Sequence, residues 1–419
     1  MPETAANDWN EVYTRLGAEV MPYGPALPDG TLVEMAAGFH TFEAEYAAVR
    51  QRVGVMHLPQ RAVLKLSGAD TADYLHRLCT QEINGLAPGS SVHAFQLNEK
   101  GQIAADLIVH HGDPAQGGST WLETDVFDLP WVKDLLEKRM FTEDVTVEDR
   151  AAPRTLLWLL GPSAVRLLTA VAGDAGADAA AKTGATPGTH HVIDLPLNEG
   201  RSAHTTAYRW DLGEVLGVRL AVPSEHAVEV YAALLAKSGY EPGGDEQADA
   251  AYAERRRDSM RGRPMGWLAF NTVRIEEGVP WTHIDFGGDS LPAEVPGPHG
   301  IDGAVSFTKG CYLGQEVVAR MKNLGHPKKL LVGLRFAAAG GESDEALPMA
   351  GAQVFDADEK QKVIGGVTSS TASPLRGQAG IGFAVVRWGR HRAGTKVRVP
   401  AGGQLIDAEV VGLDALVRD

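Results

Sequence analysis

At 419 residues the chain is too long for one ordinary core, so two or three domains are expected. Its formal charge of −15 argues against strong direct binding to nucleic acid, which needs a basic surface to release counterions. Its two cysteines, Cys79 and Cys311, are too few for a four-thiolate metal or iron–sulfur site within one chain. No apolar run reaches the length that spans a bilayer. Residues 1–10 are polar and acidic, without the basic start and apolar middle of a signal peptide, so the expected location is cytoplasmic.

Residues 1–35 carry scattered Pro and Gly and read as an extended N-terminal arm. Phe42, Tyr46, Val49 and Val53 then recur at helical spacing, and Gly54 closes that helix. Residues 61–66 predict a strand, Gly68-Ala69-Asp70 a turn with Asp70 as helix cap, and Ala72, Leu75, Leu78 and Cys79 a helical face. A hairpin follows: residues 91–98 alternate, Glu99-Lys100-Gly101 turns, and residues 102–110 return. Strand 121–126, amphipathic helix 129–140 and strand 145–148 come next. The strand–Gly–helix unit recurs at residues 156–168, which suggests two related α+β subdomains.

Residues 170–190, rich in Ala, Gly, Asp and Thr, read as an exposed insertion. The charge- and glycine-dense residues 243–264 read as a second one. Between them, residues 205–208 and 217–222 predict another hairpin, and residues 227–237 a helix. A buried pattern resumes at 266–275. Beyond Lys329, short apolar runs at 330–336, 352–355, 363–369, 381–386, 396–399 and 406–411 alternate with glycine turns. That texture predicts a small, mostly antiparallel barrel or sandwich. The expected domains are therefore 1–35, 36–325 and 326–419.

Four places carry residue types suited to chemistry. Asp106 sits within the apolar return strand of the first hairpin, close to Asn98, where burial without a partner would be costly. Glu214 lies in an acidic turn, Asp211-Leu-Gly-Glu-Val-Leu-Gly217. Arg274 and Glu276, in Arg-Ile-Glu-Glu-Gly-Val-Pro, can pair with each other or frame a polar ring. The densest stretch is residues 309–316, Lys-Gly-Cys-Tyr-Leu-Gly-Gln-Glu. There Lys309 precedes Cys311 by two residues and would favour its thiolate. Tyr312, Gln315 and Glu316 add a phenol, an amide and a carboxylate. No histidine lies close in sequence to serve as a base for Cys311.

Residues 309–316, with Arg320 four positions on, resemble the signature of the YgfZ family, folate-binding relatives of the glycine-cleavage T-protein (aminomethyltransferase). The segments beginning at Arg274, Asp285, Leu291-Pro-Ala-Glu294 and Lys309 occur in that family's order. Gly365-Gly-Val-Thr-Ser-Ser370 resembles its barrel strand. Arg52-Val-Gly54, Leu66-Ser-Gly-Ala-Asp70 and Leu97-Asn-Glu-Lys-Gly101 through Asp106 are similar to the wider superfamily.

The resemblance implies an α+β fold of two ferredoxin-like subdomains and a C-terminal small β-barrel around a central folate channel. It implies tetrahydrofolate, or a one-carbon-substituted form, as cofactor. Asp106 would lie near the reactive folate nitrogens, with Cys311 and Lys309 as further catalytic groups. Asn98, Glu214, Arg274, Glu276, Tyr312, Gln315 and Glu316 would bind the folate, with residues 309–316 as one wall of the channel. Lys322, Lys328 or Lys329 would meet the anionic polyglutamyl tail. Glu214 matches the family's Gly-Glu-x-Gly turn only in part, because two residues separate it from Gly217. The implied function is assembly or repair of iron–sulfur proteins, with client partners such as tRNA-modifying radical-SAM enzymes. The alternative is a folate-dependent aminomethyl or methyl transferase of the T-protein type.

Overall fold

The computed structural model describes residues 4–112, 119–148, 153–241, 260–337, 347–359 and 362–418. The first sheet has five strands, in the order Ser90–Leu97, Ile103–His111, Thr120–Asp125, Arg61–Ser67 and Thr146–Glu148. Alternation gives it two unlike faces. Leu64, Leu66, Ala105, Leu107, Val109 and Leu122 turn to one side, where the helices Thr71–Leu78 and Leu129–Lys138 cover them. Arg61, His93, Asp106 and Glu123 turn to the other, which no helix of this unit covers.

The second sheet runs His190–Pro196, Ser202–Arg209, Gly217–Pro223, Arg154–Leu160, Gly54–His57 and Arg263–Pro264. Leu157, Leu159, Val218 and Leu220 face a core shared with the helices Ala164–Ala185 and Ser224–Ser238. Trp158 and Arg219 face the other way: Arg219 pairs with Glu123 of the first sheet, and Trp158 Nε1 donates to the Trp210 carbonyl at 3.0 Å. The two sheets thus join through the faces that bear Arg61, His93, Asp106 and Glu123 on the first and Arg219 on the second, the latter face being otherwise apolar at Leu156, Trp158, Leu160 and Ala221. Each has helices on its outer side, as expected for paired α+β subdomains.

The third unit is a closed barrel, in the order Lys329–Phe336, Ala379–Arg387, Val363–Ser373, Gln353–Asp356, Lys396–Ala401 and Gln404–Val411. All six apolar runs expected beyond Lys329 are its strands, and every neighbour is antiparallel. The helix Trp267–Glu276 ties the units together. Trp267, Phe270 and Val273 pack with Leu156, Trp158 and Leu160 in a separate cluster on the second sheet's other face. Its Thr272 hydroxyl meets Thr371 of the barrel at 2.6 Å, and Arg274 Nη2 donates to Ser369 at 2.8 Å.

Two expectations need correction, and a third falls largely outside the described residues. The N-terminal arm is instead a helix, Thr4–Arg15, followed by a strand, Ala18–Pro22, paired with Glu34–Phe39. Val12, Tyr13 and Leu16 bury on the second unit's core, and an apolar stripe of that kind orders a segment. The insertion near 170–190 is largely helical within Ala164–Ala185, which breaks at Gly173 (φ +63°), with Val171, Ala172 and Ala180 buried. Alanine there is a packing and helix-forming residue. Of the insertion near 243–264, residues 242–259 lie outside the described residues. Arg263–Pro264 is a strand parallel to Gly54–His57.

Candidate active site between the two sheets

Where these two faces meet, several elements together line a cavity. The first sheet contributes Arg61, His93, Asp106 and Ile108, and the second Trp158 and Arg219. The turn after Ser202–Arg209 adds Trp210, Asp211 and Leu212. The segment after Trp267–Glu276 adds residues 279–282 and Phe286, and the following loop adds His299. Its free volume is about 50 Å³.

Charge organises this space. Glu123 is fully buried and accepts from Arg61 Nε at 2.7 Å, and also from Arg219 Nη1 and the Tyr208 hydroxyl. Burial alone would raise the Glu123 pKa, but the two guanidiniums outweigh it and hold the carboxyl below the usual range. Asp106 Oδ1 lies 2.5 Å from His93 Nε2, while Oδ2 has Arg61 Nη1 at 4.0 Å. Burial pushes Asp106 up, but His93, Arg61 and Arg219 together bring it below its ordinary value. Asp106 is therefore a carboxylate at neutral pH with one oxygen turned to the cavity's own residues and one available for a donor.

A second acidic group backs the first. The Asp106 amide donates to Asp128 Oδ2 at 3.2 Å, and Asp128 Oδ1 meets His283 Nε2 at 2.8 Å. Asp125 accepts from the Tyr23 hydroxyl at 2.8 Å, and burial pushes its pKa up to about 6. Among the described residues, no group of three or more His, Cys, Asp or Glu side chains could hold a metal ion.

His299 also lines a larger chamber of about 750 Å³, between the turn carrying Glu214 and the barrel. Leu330, Val332, Leu375, Val411, Leu413 and Val417 give that chamber an apolar wall. Its charges are matched internally: Arg50 pairs with Glu276 and Glu277, and Arg418 with Glu214. His299 stands between the two spaces, and burial pushes its pKa down to about 4, so it is neutral at pH 7.

Of the residues singled out in the sequence, only Asp106 lines the inner cavity. Asn98 holds the hairpin turn, its Oδ1 accepting from the amides of Lys100 and Gln102 at 2.9 and 3.1 Å. Glu214 is exposed on the outer chamber. Arg274 is fully buried and donates to Asp285 Oδ2 at 2.6 Å. Glu276 is buried too, accepting from Tyr46 at 2.6 Å and Ser373 at 2.5 Å, though it reaches the outer chamber.

Residues 309–316 are not a wall of either space. The Lys309 ammonium is buried and donates to the carbonyls of His76, Cys79 and Gln81. It satisfies the end of the helix Thr71–Leu78, where cations fit best. Tyr312 is buried beneath it, with the ammonium 5.0 Å from the ring. Gly314 takes φ +81°, and a Cβ added there would lie 3.0 Å from Leu97 Cβ and 3.1 Å from the Asn98 carbonyl oxygen, so any other residue would be strained and tightly crowded. Cys311 is thereby held exposed on the surface. Gln315 and Glu316 open the helix Gln315–Leu324, whose Glu316 pairs with Arg320 at 2.8 Å. The stretch docks on the hairpin tip at Gly101, five residues and roughly 17 Å of strand from Asp106.

Sequence reasoning missed Arg61, His93, Glu123, Trp158, Arg219 and His299. One signal was present: Arg219, like Asp106, is a charge set inside an otherwise apolar strand. His299 and the tryptophans carried none.

The sequence matches the GCVT N-terminal domain over residues 18–255 and the glycine cleavage T-protein C-terminal barrel domain over residues 329–414. It is 25% identical to an aminomethyltransferase of Symbiobacterium thermophilum, across 96% of this chain and 94% of that one. It is 26% identical to one of Cutibacterium acnes, across 96% and 97%. The fold is that of the glycine cleavage system aminomethyltransferase T of Bartonella henselae, with a TM-score of 0.76 at 20% identity over 98% of both chains. With more than half its length matched by the first of those domains and the barrel by the second, the chain belongs to the glycine cleavage T-protein family.

Proposed function

We infer that this protein is a folate-dependent one-carbon transferase of the aminomethyltransferase type, with transfer occurring beside Asp106. The observation that carries the reading is the ionised Asp106, oriented by His93 and with Oδ2 available, inside an aromatic cavity. Its family uses tetrahydrofolate as the one-carbon acceptor. The residues suit that ligand. Trp158, Trp210 and Trp281 offer flat faces to a pterin, and Asp106 offers an acceptor to its N–H groups. At about 50 Å³ the inner space is below the 300 Å³ or so of an ordinary ligand pocket, so this reading requires the wall at His299 or Trp210 to move aside for the ring.

Tetrahydrofolate, when bound, supplies the ring amines that accept the carbon unit. Asp106 stabilises positive charge on such an amine and accepts its departing proton at Oδ2. His93, at 2.5 Å from Oδ1, orients the carboxylate. Arg61 and Arg219 keep it ionised, and the tryptophans exclude water.

The test is formation of methylenetetrahydrofolate from aminomethylated lipoyl H-protein by wild type and Asp106→Asn. Turnover that the substitution abolishes supports the reading. A wild type that neither turns over nor binds tetrahydrofolate overturns it.

A second reading, a YgfZ-type accessory factor in iron–sulfur cluster assembly or repair, rests on one observation: Cys311 is exposed outside the cavity, where a partner protein can reach it. Cys311→Ala would then fail to restore iron–sulfur enzyme activity in cells lacking the protein. Full rescue would sink a role for the thiol.

A further inference from the structure

Arg219 has one donor too many for its surroundings. Its side chain is 3% exposed, and its guanidinium carbon lies 3.9 Å from the Trp158 ring centroid. Nη1 donates to Glu123, but the buried Nε–H has no acceptor among the described residues. A buried donor left unpaired is costly, and this one belongs to a residue lining the cavity. The same cavity holds a free acceptor, Asp106 Oδ2. The site is therefore short of one acceptor and one donor.

The charge balance says what kind of acceptor is missing. Arg61, Arg209 and Arg219 stand against Asp106, Glu123 and Asp211, with Arg209 Nη2 on Asp211 at 3.1 Å. Asp125 and Asp128 lie behind, with His283 between them. No surplus positive charge remains to offset a ligand carboxylate or phosphate, and burying one more anion here would be unfavourable. A neutral oxygen fits instead.

We propose that Arg219 is a specificity-determining residue of this cavity, its Nε–H taking the lactam carbonyl of a pterin ring and leaving Asp106 Oδ2 to the ring's amine donors. This rests on the folate reading above and adds to it an orientation for the ring and a class of excluded ligands. Rings with an amino group in place of the carbonyl would present a second donor to the Nε–H and lose the contact.

The test measures dissociation constants of wild type, Arg219→Met and Arg219→Lys for tetrahydrofolate and for the same reduced ring carrying a 4-amino group. The lysine variant keeps a cation against Glu123, so it guards against a folding defect, and thermal unfolding of each variant is recorded alongside. Both substitutions are expected to weaken tetrahydrofolate binding about tenfold or more, while changing binding of the 4-amino ligand about twofold at most. Equal weakening for the two ligands, or no weakening of tetrahydrofolate, overturns the proposal while leaving the folate reading intact. A wild type that binds neither ligand overturns the folate reading itself.

Discussion

The Lys309 ammonium donates to the Cys79 carbonyl at 2.5 Å, across 230 positions of sequence, and not to anything beside Cys311. A lysine two residues from a cysteine suggests an activated thiol. Here it closes the end of a helix, and burial lowers its pKa to about 8 despite the opposing pull of Cys79 and Glu82. Lys309→Met leaves three carbonyls without that donor. It should cost roughly 3 kcal/mol in a denaturant titration, since each unsatisfied buried group costs about 1–3 kcal/mol. Alkylation of Cys311 in the folded variant should proceed at the wild-type rate. A slower rate would restore the activating role.

Asp106 is the residue on which sequence and geometry agree. Asp106→Asn keeps the size and the contact to His93 but removes the charge. It should lower kcat about 10²- to 10⁴-fold, as expected when a general base is lost, with a smaller change in KM. The wild-type rate should stay flat at neutral pH and fall only below the ordinary carboxylate range, because the folded pKa lies below its usual value. A loss of rate already at pH 6 would assign the titration to another group.

The barrel was legible because its apolar runs are short, alternating and separated by glycine. The N-terminal helix was legible too, in Trp9, Val12, Tyr13 and Leu16 at helical spacing, but the Pro and Gly further along that stretch masked it. The Ala164–Ala185 helix was hidden by composition, since small residues read alike in a linker and in a tight contact. The candidate site was hidden for a different reason. Its residues come from three strands of one sheet, two of another and three connecting segments, and no local pattern encodes which faces of two sheets will meet. The octapeptide at 309–316 carried the family resemblance, yet its lysine and tyrosine are buried fastenings of a surface loop, and its second glycine makes the left-handed turn that lets the loop dock. Local chemical density there reflects packing as much as reactivity.

Glu45 makes stability depend on pH. Its two oxygens accept from the Phe39 and Gly266 amides, and burial raises its pKa to about 7 in spite of them. The folded pKa is above the unfolded value of 4.5, so the native state holds the extra proton between those two pH values. Stability from this group is full below pH 4.5 and is lost as pH rises to 7, by roughly 3 kcal/mol. Denaturant midpoints taken across that window should fall more steeply for wild type than for Glu45→Gln. Parallel curves would exclude Glu45 as the source.

Arg274 and Asp285 form a pair with no exposure on either side chain. Arg274→Met would strand Asp285, although Trp281 N, Thr368 and Ser369 also donate to it. Breaking a buried pair from one side costs about 3–5 kcal/mol, so this variant should melt well below wild type or fail to fold. Arg274→Met combined with Asp285→Asn should recover part of the loss. Because the pair ties the helix Trp267–Glu276 to the barrel, a measured cost under 1 kcal/mol would mean that the helix is held mainly by Trp267 and Phe270.

His299 lines both the outer chamber and the Asp106 cavity, which puts it where a door between them would stand. A side chain acting as a door changes association and dissociation together and leaves affinity nearly constant. His299→Trp should therefore slow tetrahydrofolate association severalfold in stopped-flow tryptophan fluorescence, and His299→Ala should speed it, with dissociation constants within about twofold. Burial pushes the imidazole pKa down to about 4, so the wild-type association rate should not change between pH 6 and 8 on its account. If both substitutions leave the rates untouched, ligand reaches Asp106 by a route that bypasses His299, past the turn at Trp210.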